Sequence, residues 1–349
     1  MVMKIKKTHW TRRCVQTFGL ETYIASAHTW RMARYFILAG LVAVCLVRAC
    51  LKKTKQQRTP TPMELYEIIS PSTYKYVLNQ PAACRRDDRR PFLVLMVPVA
   101  PGDLDSREAV RKTWGRGGLV SDVEVLTLFF LGVVSGKGVQ ESLEEESRGH
   151  GDIIQMDFLD SYKNLTIKTM MMMNWLSSHC QHASYAMKID ADVFLNVHQL
   201  LGRLPRPAKQ NYITGSVIRD GRPRRDKSSK WYLSEEVYPQ STLPPYVSGA
   251  GYVFSADLAQ KISWASRFVR PLPLEDVYVG LCLEVLGVSP VYSTSRFFTR
   301  NLFEVRHLNY DRCTFFSLII ANGFTKLRQL GVRLLSASES NNSAVCKVF

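Results

Sequence analysis

Short apolar segments alternate with amphipathic segments along the chain from residue 91 onward. Residues 92–99 (FLVLMVPV) form a continuous apolar run, as in a strand that is buried on both faces. Asp105 lies three residues before Glu108, as in a capping box, and predicts a helix directly after this strand. The alternation predicts an α/β fold with a mostly parallel central sheet. Further strands are predicted at 123–134, 152–158, 185–189 and 212–218 and after a turn that begins at 244, and helices at 141–148, 161–178 and from 273 onward.

The N-terminal ninety residues lack this alternation. Residues 35–47 (YFILAGLVAVCLV) are uniformly apolar, and with an extension to Leu51 they reach about 17 residues, the low end for a spanning helix. A cleaved signal peptide is the alternative, but no clear small-residue cleavage site precedes Lys52. We therefore predict four segments: a cytoplasmic basic tail at 1–34, a signal anchor at 35–51, a stem at 52–90 and a lumenal catalytic domain at 91–349.

The charge of the chain supports a membrane-flanking tail. The chain has 349 residues, 46% of them hydrophobic, and a formal net charge of +16. The first sixty residues contain twelve Lys or Arg and one acid, Glu21, and so account for about +11 of that charge. Because these basic residues flank an apolar segment, they favour contact with a membrane surface, and no nucleic-acid partner is predicted.

Cysteines and glycosylation triplets are compatible with an oxidising compartment. Asn164-Leu-Thr166 and Asn341-Asn-Ser343 are acceptor triplets for N-glycosylation. Five cysteines beyond the apolar segment permit two disulfides and one free thiol, and the sequence does not determine the pairing. These five are Cys84, Cys180, Cys282, Cys313 and Cys346.

Residues 185–196 (YAMKIDADVFLN) contain the clearest candidate chemistry. A short apolar strand ends in two carboxylates, Asp190 and Asp192. Carboxylate oxygens suit magnesium or manganese, which keep part of their coordination for substrate phosphates. Because open α/β sheets bind ligands outside the carboxyl ends of their strands, the pair predicts a metal-diphosphate site. Two solvated turn carboxylates are the alternative interpretation.

Two further segments contain candidate binding residues. Arg107 and Arg111 are four residues apart, a spacing suited to gripping phosphate or an acidic neighbour. Ser248, Gly249 and Gly251 lie in a stretch that permits close approach of the backbone to a sugar or nucleotide, or that forms only a tight turn.

Glu275 and Asp276 begin an amphipathic helix in the segment from 273 to 284. In one interpretation they only complement the helix dipole. In the other, one of them is a general base that removes a proton from an attacking hydroxyl, while a metal neutralises a departing diphosphate.

Five motifs, in their order along the chain, resemble those of the β-1,3-galactosyltransferases: REAVRKTWG, DIIQMDFLDSYKNLTIKT, YAMKIDADVFLN, SGAGYVFS and LEDVYVGLCLEVLG. The resemblance implies a GT-A fold, UDP-galactose as donor, manganese as cofactor and inversion at the anomeric carbon. It also implies a single-pass type II protein of the Golgi membrane. The implied acceptor is a terminal N-acetylglucosamine or related sugar on a glycoprotein or glycolipid. Association with itself or with other Golgi transferases is left open.

The resemblance assigns roles to individual residues. The metal-diphosphate motif falls on Asp190 and Asp192, and the catalytic base falls on Asp276, with Glu275 as the fallback. The predicted donor-binding residues are Arg107, Arg111, Trp114, Lys188, Asp190, Ser248, Gly249 and Gly251.

Two positions depart from the family pattern. Val247 stands where relatives usually carry a cysteine, and Asn322 stands where a metal-ligating histidine is expected. An amide oxygen is a weaker ligand for manganese than imidazole, so His307 is the predicted substitute. Two alternative functions stay open: transfer of N-acetylglucosamine, and a catalytically silent Golgi protein that binds glycans or partner transferases.

Overall fold

The structure is a computed structural model in which the chain divides into two compact units, Met1–Thr59 and Pro60–Phe349. In the first unit, residues 34–46 form helix α1, whose side chains are exposed. Among the described residues, none of the helices combines the length and the hydropathy that a membrane crossing requires. Asn322, His307, Cys313, Cys346 and the triplet at 341–343 lie outside the described residues. The structure describes Trp30, Met32 and residues 34–46, 61–88, 90–136, 138–294, 297–298 and 318–321.

A seven-stranded sheet forms the centre of the second unit. Its order is β1-β4-β3-β2-β5-β8-β7, and β6 and β9 form a separate antiparallel pair. The pairings β4-β3, β3-β2 and β2-β5 are parallel, and the outer pairings are antiparallel. The predicted α/β fold with a mostly parallel centre is therefore confirmed. The strands are β1 (Tyr76–Leu78), β2 (Leu93–Pro98), β3 (Val125–Val133), β4 (Ile153–Leu159), β5 (Tyr185–Ile189), β6 (Phe194–Leu195), β7 (Ile213–Ile218), β8 (Tyr246–Ser255) and β9 (Ile320–Ala321).

Helices cover both faces of the sheet. Successive residues of a strand point to opposite faces, so Val94 and Met96 of β2 join one hydrophobic cluster while Leu93 and Leu95 join the other. Helices α5, α7 and α8 pack in the first cluster, and α3, α4 and α6 contribute to the second. The helices of the second unit are α2 (Pro62–Tyr66), α3 (Leu104–Lys112), α4 (Val139–His150), α5 (Leu165–His179), α6 (Val197–Leu201), α7 (Asp257–Ala265) and α8 (Glu275–Val285).

The start of α3 differs from the prediction. The N-cap is Asp103, whose side chain accepts a hydrogen bond from the backbone N–H of Ser106 at 3.1 Å. Asp105 lies inside the first turn, and Glu108 forms ion pairs with basic residues of the last turn. The predicted capping box is therefore wrong, because an acid two residues earlier satisfies the free N–H groups.

The folded unit begins earlier than the predicted boundary at residue 91. β1 pairs with β4, and Cys84 forms a disulfide with Cys180. Ile69 and Ala83 are buried in the first hydrophobic cluster. The prediction of a stem up to residue 90 is therefore wrong for this segment, because its apolar side chains and its cysteine belong to the core.

Helix α8 is buried on most of its surface. The prediction of an amphipathic helix is therefore wrong. Seven of its eleven residues are buried, because the helix packs between β8 and helices α5 and α7. Cys282, on this helix, is a buried free thiol. The burial of α8 brings the two acids of its first turn against β8, where the candidate site forms.

Candidate active site

Lys188 lies at the centre of a cluster of polar groups where β5 ends. Its Nζ is 2.6 Å from Oδ1 of Asp190 and 3.2 Å from Oε1 of Glu275, and it donates to the backbone carbonyl of Gly249. The Lys188 side chain is only 3% exposed. Burial alone would lower the pKa of Lys188, but the two carboxylates outweigh it and hold this pKa above its ordinary value. The cluster therefore contains a charged ammonium that connects β5, β8 and α8.

Glu275 is held from several sides in the interior. Its Oε2 accepts hydrogen bonds from the Tyr252 hydroxyl at 3.2 Å and from Oγ1 of Thr169 at 3.4 Å. Burial raises the pKa of this carboxyl, and the nearby ammonium of Lys188 opposes that effect. Glu275 is 5% exposed and is fully occupied by protein partners, so it is placed to orient its neighbours.

Asp276 is the acid of this pair that faces open space. Its Oδ2 accepts a hydrogen bond from the Gly249 N–H at 3.1 Å, and its Oδ1 accepts one from the Val277 N–H at 2.9 Å. Burial raises the pKa of the Asp276 carboxyl, and these backbone hydrogen bonds oppose that effect. A fixed carboxylate with a raised pKa is suited to accept a proton.

Gly249 allows the two acids to approach the backbone of β8. A Cβ at this position would lie 2.8 Å from Oε1 of Glu275 and 3.3 Å from Oδ2 of Asp276. The close approach predicted for this glycine is therefore an approach to the two carboxylates. Gly251 has a packing role, since a Cβ there would lie 3.3 Å from side-chain atoms of Ile320 and Met187.

A cavity of about 600 Å³ opens at Asp276. One wall comes from β8 and α8, and another wall comes from the loop between β7 and β8. Ser248, one of the predicted binding residues, lies in the first wall. The first wall includes the side chains of Tyr246, Ser248 and Asp276, and the second includes those of Arg222, Arg224 and Trp231.

Tyr162 and Trp231 are candidate substrate-contacting residues that the sequence did not single out. Tyr162 is 49% exposed and Trp231 is 47% exposed, and the two side chains lie within hydrogen-bonding reach of each other. Partial burial and the charges of Asp276 and Asp190 raise the pKa of Tyr162. Tyr162 belongs to one of the five motifs, and that membership was the available signal. No spacing pattern marked Trp231.

Asp190 and Asp192 occupy the predicted position at the carboxyl end of β5. The Asp190 side chain is 39% exposed and Asp192 is exposed. Lys188 contacts Oδ1 of Asp190, so Oδ2 and the carboxylate of Asp192 are the oxygens that fit a hard divalent cation. Over the described ranges, no group of three His, Cys, Asp or Glu side chains converges on one point.

Three predicted donor-binding residues have other partners. Arg107 donates to both carboxylate oxygens of Glu146 at 2.8 and 2.7 Å. Arg111 donates to both carboxylate oxygens of Asp152 at 2.8 Å. Trp114 is 4% exposed and belongs to the second hydrophobic cluster. We therefore correct the prediction that these three side chains contact the donor, since acidic neighbours and the core account for them.

Sequence comparisons identify relatives of this chain. The family model described as galactosyltransferase matches residues 105–294. β-1,3-Galactosyltransferase 2 of Mus musculus is 41% identical over 256 residues, which cover 72% of this chain and 59% of the relative. The Homo sapiens protein of the same name gives the same four values. β-1,3-Galactosyltransferase 1 of Mus musculus is 43% identical over 225 residues, which cover 64% of this chain and 68% of the relative.

The coverage of these relatives is incomplete. The aligned part of this chain spans 59% of the length of the β-1,3-galactosyltransferase 2 proteins. A solved structure of the galactosyltransferase LgtC with donor and acceptor sugar analogues is 9% identical to this chain. The match covers 72% of this chain and 98% of the LgtC chain, with a TM-score of 0.37. The family match extends over more than half of the chain and includes all five motifs. The chain belongs to the galactosyltransferase family, as its motifs predicted.

Proposed function

We propose that this protein is an inverting β-1,3-galactosyltransferase with a GT-A fold. It moves galactose from UDP-galactose to the 3-hydroxyl of a terminal N-acetylglucosamine or related sugar on a glycoprotein or glycolipid. The observation that carries the proposal is the position of Asp276. This carboxyl lines a cavity of about 600 Å³ and is connected through Gly249 and Lys188 to the carboxylate pair at the end of β5.

The reaction needs one general base. Asp276 accepts the proton of the acceptor hydroxyl as that oxygen forms a bond to the anomeric carbon of galactose. The bond between the anomeric carbon and the diphosphate oxygen breaks, and its electron pair leaves with UDP. Because the hydroxyl attacks from the face opposite UDP, the configuration inverts, and no covalent enzyme intermediate is needed.

Glu275 was the fallback for the base, but a positioning role fits its surroundings better. Glu275 is not among the residues that line the cavity, and its carboxylate is occupied by Lys188, Tyr252 and Thr169. Through Lys188 it helps to orient Asp190. Glu275 thus fixes the relative positions of the donor side and the acceptor side of the site.

Asp190 and Asp192 would hold manganese in this proposal. When bound, the cation would neutralise the charge of the departing diphosphate. The contribution of the protein is to hold Oδ1 of Asp190 against Lys188, which leaves Oδ2 and the exposed Asp192 carboxylate for the cation. His307 remains a proposed additional ligand.

We also propose that the protein is anchored in the Golgi membrane as a single-pass type II protein with a lumenal catalytic domain. The basic tail and the apolar run at 35–47 support this orientation. The disulfide between Cys84 and Cys180 supports an oxidising compartment for the folded unit.

The proposal is tested with the purified full-length protein in detergent. Release of UDP is measured with UDP-galactose and UDP-N-acetylglucosamine, each with and without manganese, and with a terminal N-acetylglucosamine acceptor. We expect acceptor-stimulated release from UDP-galactose that requires manganese. Stimulated release from UDP-N-acetylglucosamine alone would reassign the donor, and no release from either donor would favour a silent glycan-binding protein.

A further inference from the structure

The cavity at Asp276 has two cations on the wall that the loop between β7 and β8 forms. Arg222 and Arg224 line this wall, and both side chains are exposed. Asp220 lies on the same wall and is also exposed. Apart from Asp276, which would bind the reacting hydroxyl, the charged side chains that line the cavity are these two arginines and Asp220.

These two guanidinium groups differ from three other arginines of the folded unit. Arg107 and Arg111 are paired with acids, and Arg225 donates to backbone carbonyls. Within the described part of the chain, neither Arg222 nor Arg224 has an ion-pair partner or a side-chain hydrogen bond. Their donors are therefore available to a ligand in the cavity.

The loop that presents these arginines is held in place by hydrogen bonds. Arg225 donates to the carbonyls of Leu233 at 2.8 Å and Tyr238 at 2.7 Å. The Leu243 N–H donates to the Gly221 carbonyl at 2.8 Å, and the Leu233 N–H donates to the carbonyl of Arg224 at 2.9 Å. Arg222 and Arg224 therefore project from a fixed backbone, which reduces the entropy lost when they bind a ligand.

Aromatic side chains complete the cavity. Trp231 and Tyr246 line it, and Trp231 is 47% exposed. Aromatic rings supply apolar contact area on which the C–H face of a sugar can pack. The cavity thus combines a surface for a sugar ring, a base for its hydroxyl and cations beside it.

We propose that the acceptor carries an anionic group next to the sugar that receives galactose, and that Arg222 and Arg224 bind this group. The inference rests on the proposed function and adds the chemical class of its acceptor. A guanidinium matches the two oxygens of a carboxylate or sulfate with two parallel N–H donors. The anion is therefore a uronic or sialic acid carboxylate or a sulfate ester on the acceptor glycan.

The test compares acceptors that differ only in this group. One is a neutral oligosaccharide that ends in N-acetylglucosamine, and the others carry a carboxylate or a sulfate on the adjacent sugar. Transfer from UDP-galactose is measured as kcat/KM at low and high salt. We expect a preference for an anionic acceptor on the order of tenfold, as for a charge-assisted hydrogen bond, and a smaller preference at high salt. A carboxylate preference and a sulfate preference each identify the source of the anion.

Variants connect the preference to the two arginines. R222Q/R224Q should reduce the ratio of anionic to neutral kcat/KM to about one, through KM of the acceptor. Lys227→Gln removes a charge from the same loop outside the cavity wall and should leave the ratio and both rates unchanged.

Equal use of neutral and anionic acceptors by the natural protein would overturn the inference and leave the proposed function standing. A rise in KM for UDP-galactose in R222Q/R224Q would also overturn it, since the arginines would then serve the donor. Absence of transfer to every acceptor would overturn both.

Discussion

Oε1 of Glu275 lies 3.2 Å from Nζ of Lys188, and this contact joins the helix that carries the proposed base to the strand that precedes the proposed metal-binding carboxylates. Each group is nearly inaccessible, with side-chain exposures of 5% and 3%. Removal of either partner leaves the other buried without its counter-charge, which is costlier than loss of an exposed ion pair.

Lys188→Met should therefore destabilise the folded unit by about 3 kcal/mol. Urea unfolding at neutral pH measures this change in the free energy of unfolding. The double variant K188M/E275Q should lose less than the sum of the two single losses, because it removes both members of this contact and leaves neither buried without the other. Unchanged unfolding of Lys188→Met would contradict the assignment of this contact as a buried ion pair.

Asp192→Ala and Asp276→Asn should separate the two proposed roles. The first variant should lose manganese-dependent UDP binding together with transfer, because it removes the exposed carboxylate of the pair. The second should keep UDP binding and lose transfer by about 10²–10⁴-fold, the usual contribution of a general base. Calorimetric titration with UDP and manganese, run beside transfer assays, distinguishes them. Equal loss of UDP binding in both variants would contradict the division of roles.

Gly249→Ala should abolish most of the transfer activity while the protein still folds. The added Cβ would lie 2.8 Å from Oε1 of Glu275, so the carboxylates at the cavity must shift. Gly102→Ala is the matched control, since a Cβ there meets no atom within 4 Å. Transfer rates and circular dichroism spectra of both variants check the prediction. Full activity of Gly249→Ala would show that the carboxylates tolerate displacement.

The disulfide should contribute strongly to stability. Cys84 and Cys180 are 96 residues apart, and closure of a loop of that length is expected to stabilise a fold by about 4 kcal/mol. The free energy of unfolding of C84S/C180S should therefore be lower by about that amount, and the variant should unfold at a lower urea concentration. Cys45→Ser, which removes an exposed free thiol, should leave the free energy of unfolding unchanged. Equal unfolding midpoints for the three proteins would argue against this pairing.

Cys282 should be chemically inert in the native protein. Burial raises the pKa of its thiol, so the thiolate that reacts with iodoacetamide is scarce at pH 8. The same thiol in the unfolded protein is the reference for a reactive site. Mass spectrometry after treatment with iodoacetamide, before and after addition of urea, reports both states. Rapid native labelling of Cys282 would show that α8 opens.

Much of the fold was predictable because its strands are buried on both faces. The apolar run at 92–99 differs by one residue at each end from the observed strand Leu93–Pro98. Tyr185–Ile189 has the predicted bounds, so the carboxylates that follow it lie where they were expected. Hydrophobic period is a direct consequence of burial, and it therefore locates buried strands well.

Contacts between distant segments were not predictable from spacing. The separation of Arg107 and Arg111 indicates a shared helix face, but only the fold brings Glu146 and Asp152 against that face. The segment before residue 91 contains a strand of three residues, too short for a periodic pattern. The position of Trp231 depends on a long loop whose path is determined by side-chain hydrogen bonds to carbonyl groups.

The shortness of β1 has a consequence for solubility. A strand of three residues at the margin of the sheet exposes only a short row of unpaired backbone groups. At the other margin, the Val291 N–H donates to the Ile213 carbonyl, and the Thr214 hydroxyl donates to the Val291 carbonyl, so a passing segment covers β7. Neither of these two margins offers a long template to a second chain, which disfavours edge-to-edge aggregation.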